Sequence, residues 1–248
     1  MTGTAEFSAA WLALREPADA AARSAELAAL AAGTLPPGRA VVRDLGCGTG
    51  AMARWLAGRL PAGTPGPRWI LHDRDPALLA EAAARLPAAE TRLGDLAALD
   101  ARGTDLVIAS ALLDVLTAAE LDRLAAIGCP ALLALTVTGR VELDPPGPRD
   151  AAFTAAFNDH QRRGGRLGPD AVPAAVAAFR GGGFAVRVRP SPWRLGPADA
   201  ALVTAWLRGW VAAAVEQDPG LAAHADAYLA RPPARVTVHH ADLLAVPA

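Results

Sequence analysis

Seven residues, Asp44-Leu-Gly-Cys-Gly-Thr-Gly, place three glycines within five positions between an apolar run and a helical pattern. A chain gives up that much backbone order only where side chains would obstruct something. Gly46, Gly48 and Gly50 let a ligand lie against the main chain, and the following helix start offers free N–H groups. Two chemistries fit such a turn. Gly46, Gly48 and Ala51 satisfy the G-x-G-x-x-G/A spacing of a dinucleotide pyrophosphate site. Asp44 opposes that reading, because a carboxylate just ahead of the first glycine repels a pyrophosphate and suits a cationic amino group.

The elements that must hold this turn follow from patterning. Apolar runs suited to buried strands occur at 40–45, 68–73, 90–95, 105–110, 131–137, 184–190 and 235–240. Between them lie stretches rich in helix formers, with apolar residues three and four apart. Pro76 starts one helix, with Asp75 as its cap, and Thr117 with Glu120 forms a capping box for another. Alternating strands and helices predict a parallel sheet with helices on both faces. A leading helical region over 4–32 carries Phe7, Trp11 and Leu14 on one face and Arg15, Asp19 and Arg23 on another. Residues 139–168 read as irregular around a short helix, and 197–230 as a long helical stretch.

At 248 residues, with 52% hydrophobic and 20% charged residues, the chain reads as one globular domain. The formal net charge of −1 gives no general attraction to nucleic acid or an anionic membrane. Cys47 and Cys129 cannot build a disulfide framework or a thiolate zinc site, and no metal site is expected. The start of the chain has no secretory pattern, and alanine-rich runs such as 20–32 are interrupted by charge; a cytoplasmic protein is expected.

The acidic residue followed by Leu-Gly-Cys-Gly-Thr-Gly closely resembles the first motif of class I S-adenosylmethionine-dependent methyltransferases. The resemblance implies an α/β, Rossmann-like sheet of seven mostly parallel strands with the last antiparallel. To that core the sequence adds an N-terminal helical cover over 1–36 and cap segments over 139–183 and 197–232. It implies S-adenosylmethionine as cofactor, with S-adenosylhomocysteine as product. Asp44, Gly46, Cys47, Gly48 and Gly50 would surround its methionine part. Asp73, with Arg74 beside it, would meet the ribose hydroxyls; Asp95 and Leu96 the adenine; Ser110 and Ala111 would line the pocket after the fourth strand. Arg15 or Arg23 would reach the cofactor carboxylate.

For the acceptor side, His160 is the first candidate base, with Asn158 and Gln161 nearby, and Asp114 the second. His239 and His240 alternate across the last strand, so at most one faces inward. Arginines at 162, 163 and 166 and at 187, 189 and 194 suit an acidic substrate. The place after the fourth strand reads Ser-Ala-Leu-Leu-Asp, not the Asn/Asp-Pro-Pro-aromatic sequence of nucleic-acid amino methyltransferases; the Asp-Pro-Pro at 144–146 follows the fifth strand instead. The expected reaction is methyl transfer to the oxygen or nitrogen of a small molecule, by a monomer or homodimer. Non-methylating chemistry such as cyclisation or aminopropyl transfer, or a non-catalytic cofactor-binding subunit, uses the same pocket and stays open.

Overall fold

A computed structural model describes residues 8–61, 66–96, 99–230 and 232–248. Phe7 lies outside them. Strands β1 (Val41–Leu45), β2 (Arg68–Asp73), β3 (Glu90–Leu93), β4 (Leu106–Ser110) and the start of β5 (Ala131–Asp144) run parallel. β6 (Phe184–Pro190), β7 (Trp193–Leu195) and β8 (Arg235–Pro247) complete an eight-stranded sheet. The order is β3-β2-β1-β4-β5-β8-β6, with β7 paired to β8. β8 lies antiparallel between β5 and β6.

Period-two alternation distributes the strand side chains between two cores. Leu106, Ile108, Leu132 and Leu244 pack on one face with α2 (Ala25–Ala32), α3 (Ala51–Ala57) and α4 (Pro76–Arg85). Val107, Ala109, Leu133 and Leu243 pack on the other with α5 (Ala118–Ala125) and α7 (Ala171–Gly181). Strands covered on both faces read as continuous apolar runs, which is why they stand out in the sequence. Both expected helix starts form: Asp75 Oδ1 accepts from Ala77 N at 2.8 Å, and Thr117 and Glu120 close the capping box.

Four expectations about the periphery change. The sheet has eight strands rather than seven, because Trp193–Leu195 adds a short strand beside the first half of β8. Residues 139–144 are not irregular: β5 continues through them, pairing Val141 with Val238 and Leu143 with Val236. Within the expected 139–183 cap, α7 belongs to the sheet's own core through Ala171, Ala175 and Phe179. The 197–230 stretch divides at Asp218-Pro219-Gly220 into α8 (Ala200–Gln217) and α9 (Ala222–Ala230).

The extended β5–β8 ribbon carries a third core with α6 (Asp150–Gln161) and α8, built on Phe153, Trp193, Trp206 and Trp210. Pro197–Gln217 is long and apolar enough to cross a membrane by length and composition. In the fold its Leu202, Val203, Trp206, Leu207, Trp210 and Val211 are buried in that core.

Candidate active site

The turn after β1 has the backbone that its glycines predict. Gly46, Gly48 and Gly50 have φ of 60°, 54° and 77°, in the left-handed region. Space is short as well: a Cβ on Gly46 would stand 2.9 Å from Leu112 Cδ1, and one on Gly48 2.9 Å from Leu12 Cδ1. Leu12 belongs to α1 (Ala9–Ala22), so the first helix lies over the turn. Asp73 at the end of β2 anchors the turn, its Oδ2 accepting from Gly48 N at 2.8 Å while Oδ1 accepts from Asp75 N at 3.0 Å. Cys47 is buried, and burial pushes its thiol above the ordinary range, so it stays protonated and fills space.

Asp44 is wholly buried. Its Oδ2 accepts from Ala53 N at 3.2 Å, while Oδ1 has no partner. Burial raises its pKa to about 7 against the opposing pull of Arg23. Arg23 is 5% exposed; Nη2 donates to Ser110 Oγ at 3.0 Å and lies 3.8 Å from Asp19 Oδ2. Its Nε and Nη1 are buried without partners, and burial lowers its pKa. An unsatisfied buried carboxylate oxygen and unsatisfied buried guanidinium nitrogens whose charges act on each other fit an ammonium and a carboxylate on one ligand. The amino-acid end of S-adenosylmethionine has both.

Arg23 gets there because α1 turns its charged face inward. Arg15 and Asp19 are buried while Leu14 of the apolar face is exposed. Arg15 grips Asp19 through Nε and Nη2 at 3.0–3.2 Å, and Trp193 Nε1 donates to Asp19 Oδ1 at 3.0 Å. Glu16, next to Arg15 on α1, pairs with Arg54 Nη2 at 2.5 Å and Arg85 Nη1 at 3.4 Å.

Around this centre, Arg74 and Asp95 are exposed and Leu96 is half-buried at the ends of β2 and β3. Ala111, directly after β4, has a φ of 52°, unusual for a residue with a Cβ. Asp114 sits in the short 3-10 turn Leu113–Val115, with Oδ1 buried and unpartnered. His160 is not brought to the turn by any described contact: its Nε2 lies 3.3 Å from Glu216 Oε2 on α8, a carboxylate shared with Arg163. Asn158 Nδ2 donates to Gly139 O at 2.8 Å. Arg162 pairs with Asp159 and Asp170, and Arg189 with Glu26, all at the surface. His239 lies outside against Glu142, whereas His240 is 5% exposed.

One residue went unnoticed in the sequence. Asp242 on β8 is 1% exposed and accepts from Ser24 N at 2.7 Å and Leu135 N at 2.8 Å. It fixes the start of α2 to a break in the β5–β8 register between Leu133 and Thr136, where Leu135 has a φ of 55°. Nothing in its local sequence signals that work, since its partners lie more than one hundred residues away.

Residues 42–127 match the family model described as a methyltransferase domain. No curated relative matches the chain. Among solved structures it is similar to the YcgJ protein of Bacillus subtilis, at 12% identity and a TM-score of 0.55, covering 89% of this chain and 97% of that one. A Bacillus halodurans protein described as a methyltransferase aligns at 14% identity and a TM-score of 0.52, over 91% and 100% of the two chains. The cyclopropane synthase MmaA2 of Mycobacterium tuberculosis aligns at 15% identity and 0.50, over 88% and 82%. At such identities these likenesses speak to fold. The matched domain covers residues 42–127, which hold the glycine turn, and the solved structures show a fold shared along most of the chain.

Proposed function

We propose that this chain is a class I S-adenosylmethionine-dependent methyltransferase that acts on the oxygen or nitrogen of a small molecule. The observation that carries the cofactor half is that Asp44 Oδ1 and the Nε and Nη1 of Arg23 are all buried without partners, while the Arg23 charge acts on Asp44. Asp44 would hold the amino group and Arg23 the carboxylate, with Gly46, Gly48 and Gly50 admitting the ligand to the backbone. Asp73 would exchange the Gly48 N–H for the ribose hydroxyls; Asp95 and Leu96 would face the adenine, and Ser110 and Ala111 the methyl-bearing end. When bound, the cofactor supplies a methyl group already activated on a sulfonium, so the protein's task is orientation and exclusion of water. Good orientation alone supplies roughly 7–11 kcal/mol of such a barrier.

A small acceptor is supported by the cover over the turn. Leu12 and Leu112 approach two of its glycines, and the α1 face above is buried. Several surface arginines that would recognise a polyanion are already engaged by carboxylates, at a net charge of −1. The test is to incubate purified protein with methyl-labelled S-adenosylmethionine and a cell extract, then separate by size. Label in the low-mass fraction supports the reading and gives the acceptor's mass. Label in RNA or protein rejects the small-molecule acceptor.

A further inference from the structure

Asp19 stands one helical turn from Arg15 and one from Arg23, so the three side chains form one charged stripe that ends at the C-cap of α1. All three are buried. Asp19 Oδ1 accepts from Trp193 Nε1 at 3.0 Å and from Arg15 Nη2 at 3.1 Å. Its Oδ2 accepts from Arg15 Nε at 3.0 Å and lies 3.8 Å from Arg23 Nη2. The Arg15 guanidinium also stacks on Trp193, its Cζ 4.8 Å from the ring centroid.

These contacts give the two arginines different tasks. Arg15 spends Nε and Nη2 on Asp19 at hydrogen-bond distance. Arg23 faces the same carboxylate at 3.8 Å, close enough for charge attraction and too far for a hydrogen bond. Its Nη2 goes to Ser110 Oγ at 3.0 Å, while Nε and Nη1 stay buried without partners. We infer that Asp19 is the positioning residue for the cofactor carboxylate: pinned by Arg15 and Trp193, it holds the Arg23 guanidinium in place without occupying the nitrogens that the ligand needs. This rests on the methyltransferase reading and adds a residue to its cofactor site.

The charge count within the stripe agrees. Two guanidiniums share one carboxylate, so one positive charge is left over for an anion. Burial lowers the Arg23 pKa; Asp19 opposes that most, Arg15 adds to it, and Asp44 and Asp242 oppose it more weakly. Without the Asp19 charge, two buried cations would repel each other, and Arg23, the more loosely held, would turn toward water. A ligand carboxylate would then have to draw it back, at the expense of affinity. Trp193 belongs to the third core, so the cap supplies one of the two groups that pin Asp19.

The test uses the full chain and two ligands, S-adenosylhomocysteine and its decarboxylated analogue S-adenosyl-3-thiopropylamine, which keeps the adenosine and the amine. By calorimetry, Asp19→Asn should weaken S-adenosylhomocysteine at least about tenfold, roughly 1.4 kcal/mol, and leave the analogue unchanged. A merely structural role would weaken both alike. Adding Asp19→Asn to Arg23→Gln should cost nothing further, because Asp19 acts through Arg23. Trp193→Phe keeps the ring beside Arg15 and removes its N–H. It should give a smaller loss of the same carboxylate-specific kind, and it carries the test if Asp19→Asn does not fold. No loss, equal loss for both ligands, tighter binding of S-adenosylhomocysteine, or a further loss in the double variant overturns the inference. Where Arg23→Gln abolishes the advantage of S-adenosylhomocysteine over the analogue and Asp19→Asn does not, the role of Asp19 alone falls. Where Arg23→Gln leaves that advantage intact, the assignment of Arg23 to the cofactor carboxylate falls with it.

Discussion

Asp44 holds its proton to about pH 7 because burial disfavours its charged form more than Arg23 and the Ala53 N–H favour it; Asp73 adds to the rise and Arg54 opposes it. A cationic amino group docking on Oδ1 reverses that balance, so ligand binding should expel a proton. Affinity for S-adenosylhomocysteine should then strengthen from acid pH up to about pH 7, by at most about tenfold per unit, and level off above. Calorimetry in buffers of different ionisation enthalpy reads the released proton directly, and Asp44→Asn should abolish both the release and the slope. Without ligand the sign is opposite for stability. A raised carboxyl pKa favours the folded state most below the unfolded pKa, and that contribution is lost as pH climbs through 7. Asp73→Ala leaves Gly48 N without its acceptor and should weaken binding about tenfold, near 1.4 kcal/mol. His160, with its ring against Glu216, should tolerate Ala with methyl transfer unchanged; a fall in kcat with cofactor affinity intact would restore it as the base.

Helix α1 does at element scale what no single residue does: it covers the glycine turn with Leu12 and ends at the buried Arg23, whose charge acts on Asp44. Its anchorage is polar on both sides, through Glu16 to Arg54 and Arg85 and through Asp19 to Trp193. Trp55 Nε1 adds a bond to Ala20 O at 3.0 Å. Gly48→Ala separates backbone strain from crowding at this interface. The left-handed φ of 54° alone should cost about 1–2 kcal/mol in denaturant unfolding. The clash with Leu12 adds to that, so the double variant with Leu12→Ala should recover only the crowding part. Full recovery would mean that the backbone there relaxes freely.

At the scale of the whole molecule, three cores share one sheet, and the third sits beyond the parallel strands on the β5–β8 ribbon. Trp210 is its largest fully buried side chain, 1% exposed and in ring contact with Phe153, Trp206 and Tyr228. Trp210→Ala should lower stability by about 3–5 kcal/mol. The ring partners of Trp210 lie on α6, α8 and α9, not on α1 or the glycine turn, so the fraction that stays folded should bind S-adenosylhomocysteine with normal affinity. Weakened binding in that fraction would show that the cap and the cofactor site are energetically one unit. Thermal unfolding with and without ligand makes the comparison.

The parallel strands, the helix caps at Asp75 and Thr117, and the glycine turn were all legible in the sequence, for one reason. Each depends on neighbours within a few residues: period-two burial, a side chain reaching its own helix start, or a backbone needing φ above zero. The same locality explains Asp44, which stands two residues before Gly46. The continuation of β5 was hidden because its residues 141–144 are stabilised by pairing with 235–238, nearly a hundred residues on, not by their own composition. Arg15, Asp19 and Arg23 were visible as a charged stripe, but a stripe does not say which way it faces. Only the tertiary structure turned it inward, against Trp193, Ser110 and Asp44. The stack of Arg15 on Trp193, with the His240 ring 5.3 Å from that Trp193 ring, likewise exists only once the sheet has brought the C-terminal strand to the N-terminal helix. Long-range burial decides which polar groups lose water and which are left wanting a partner.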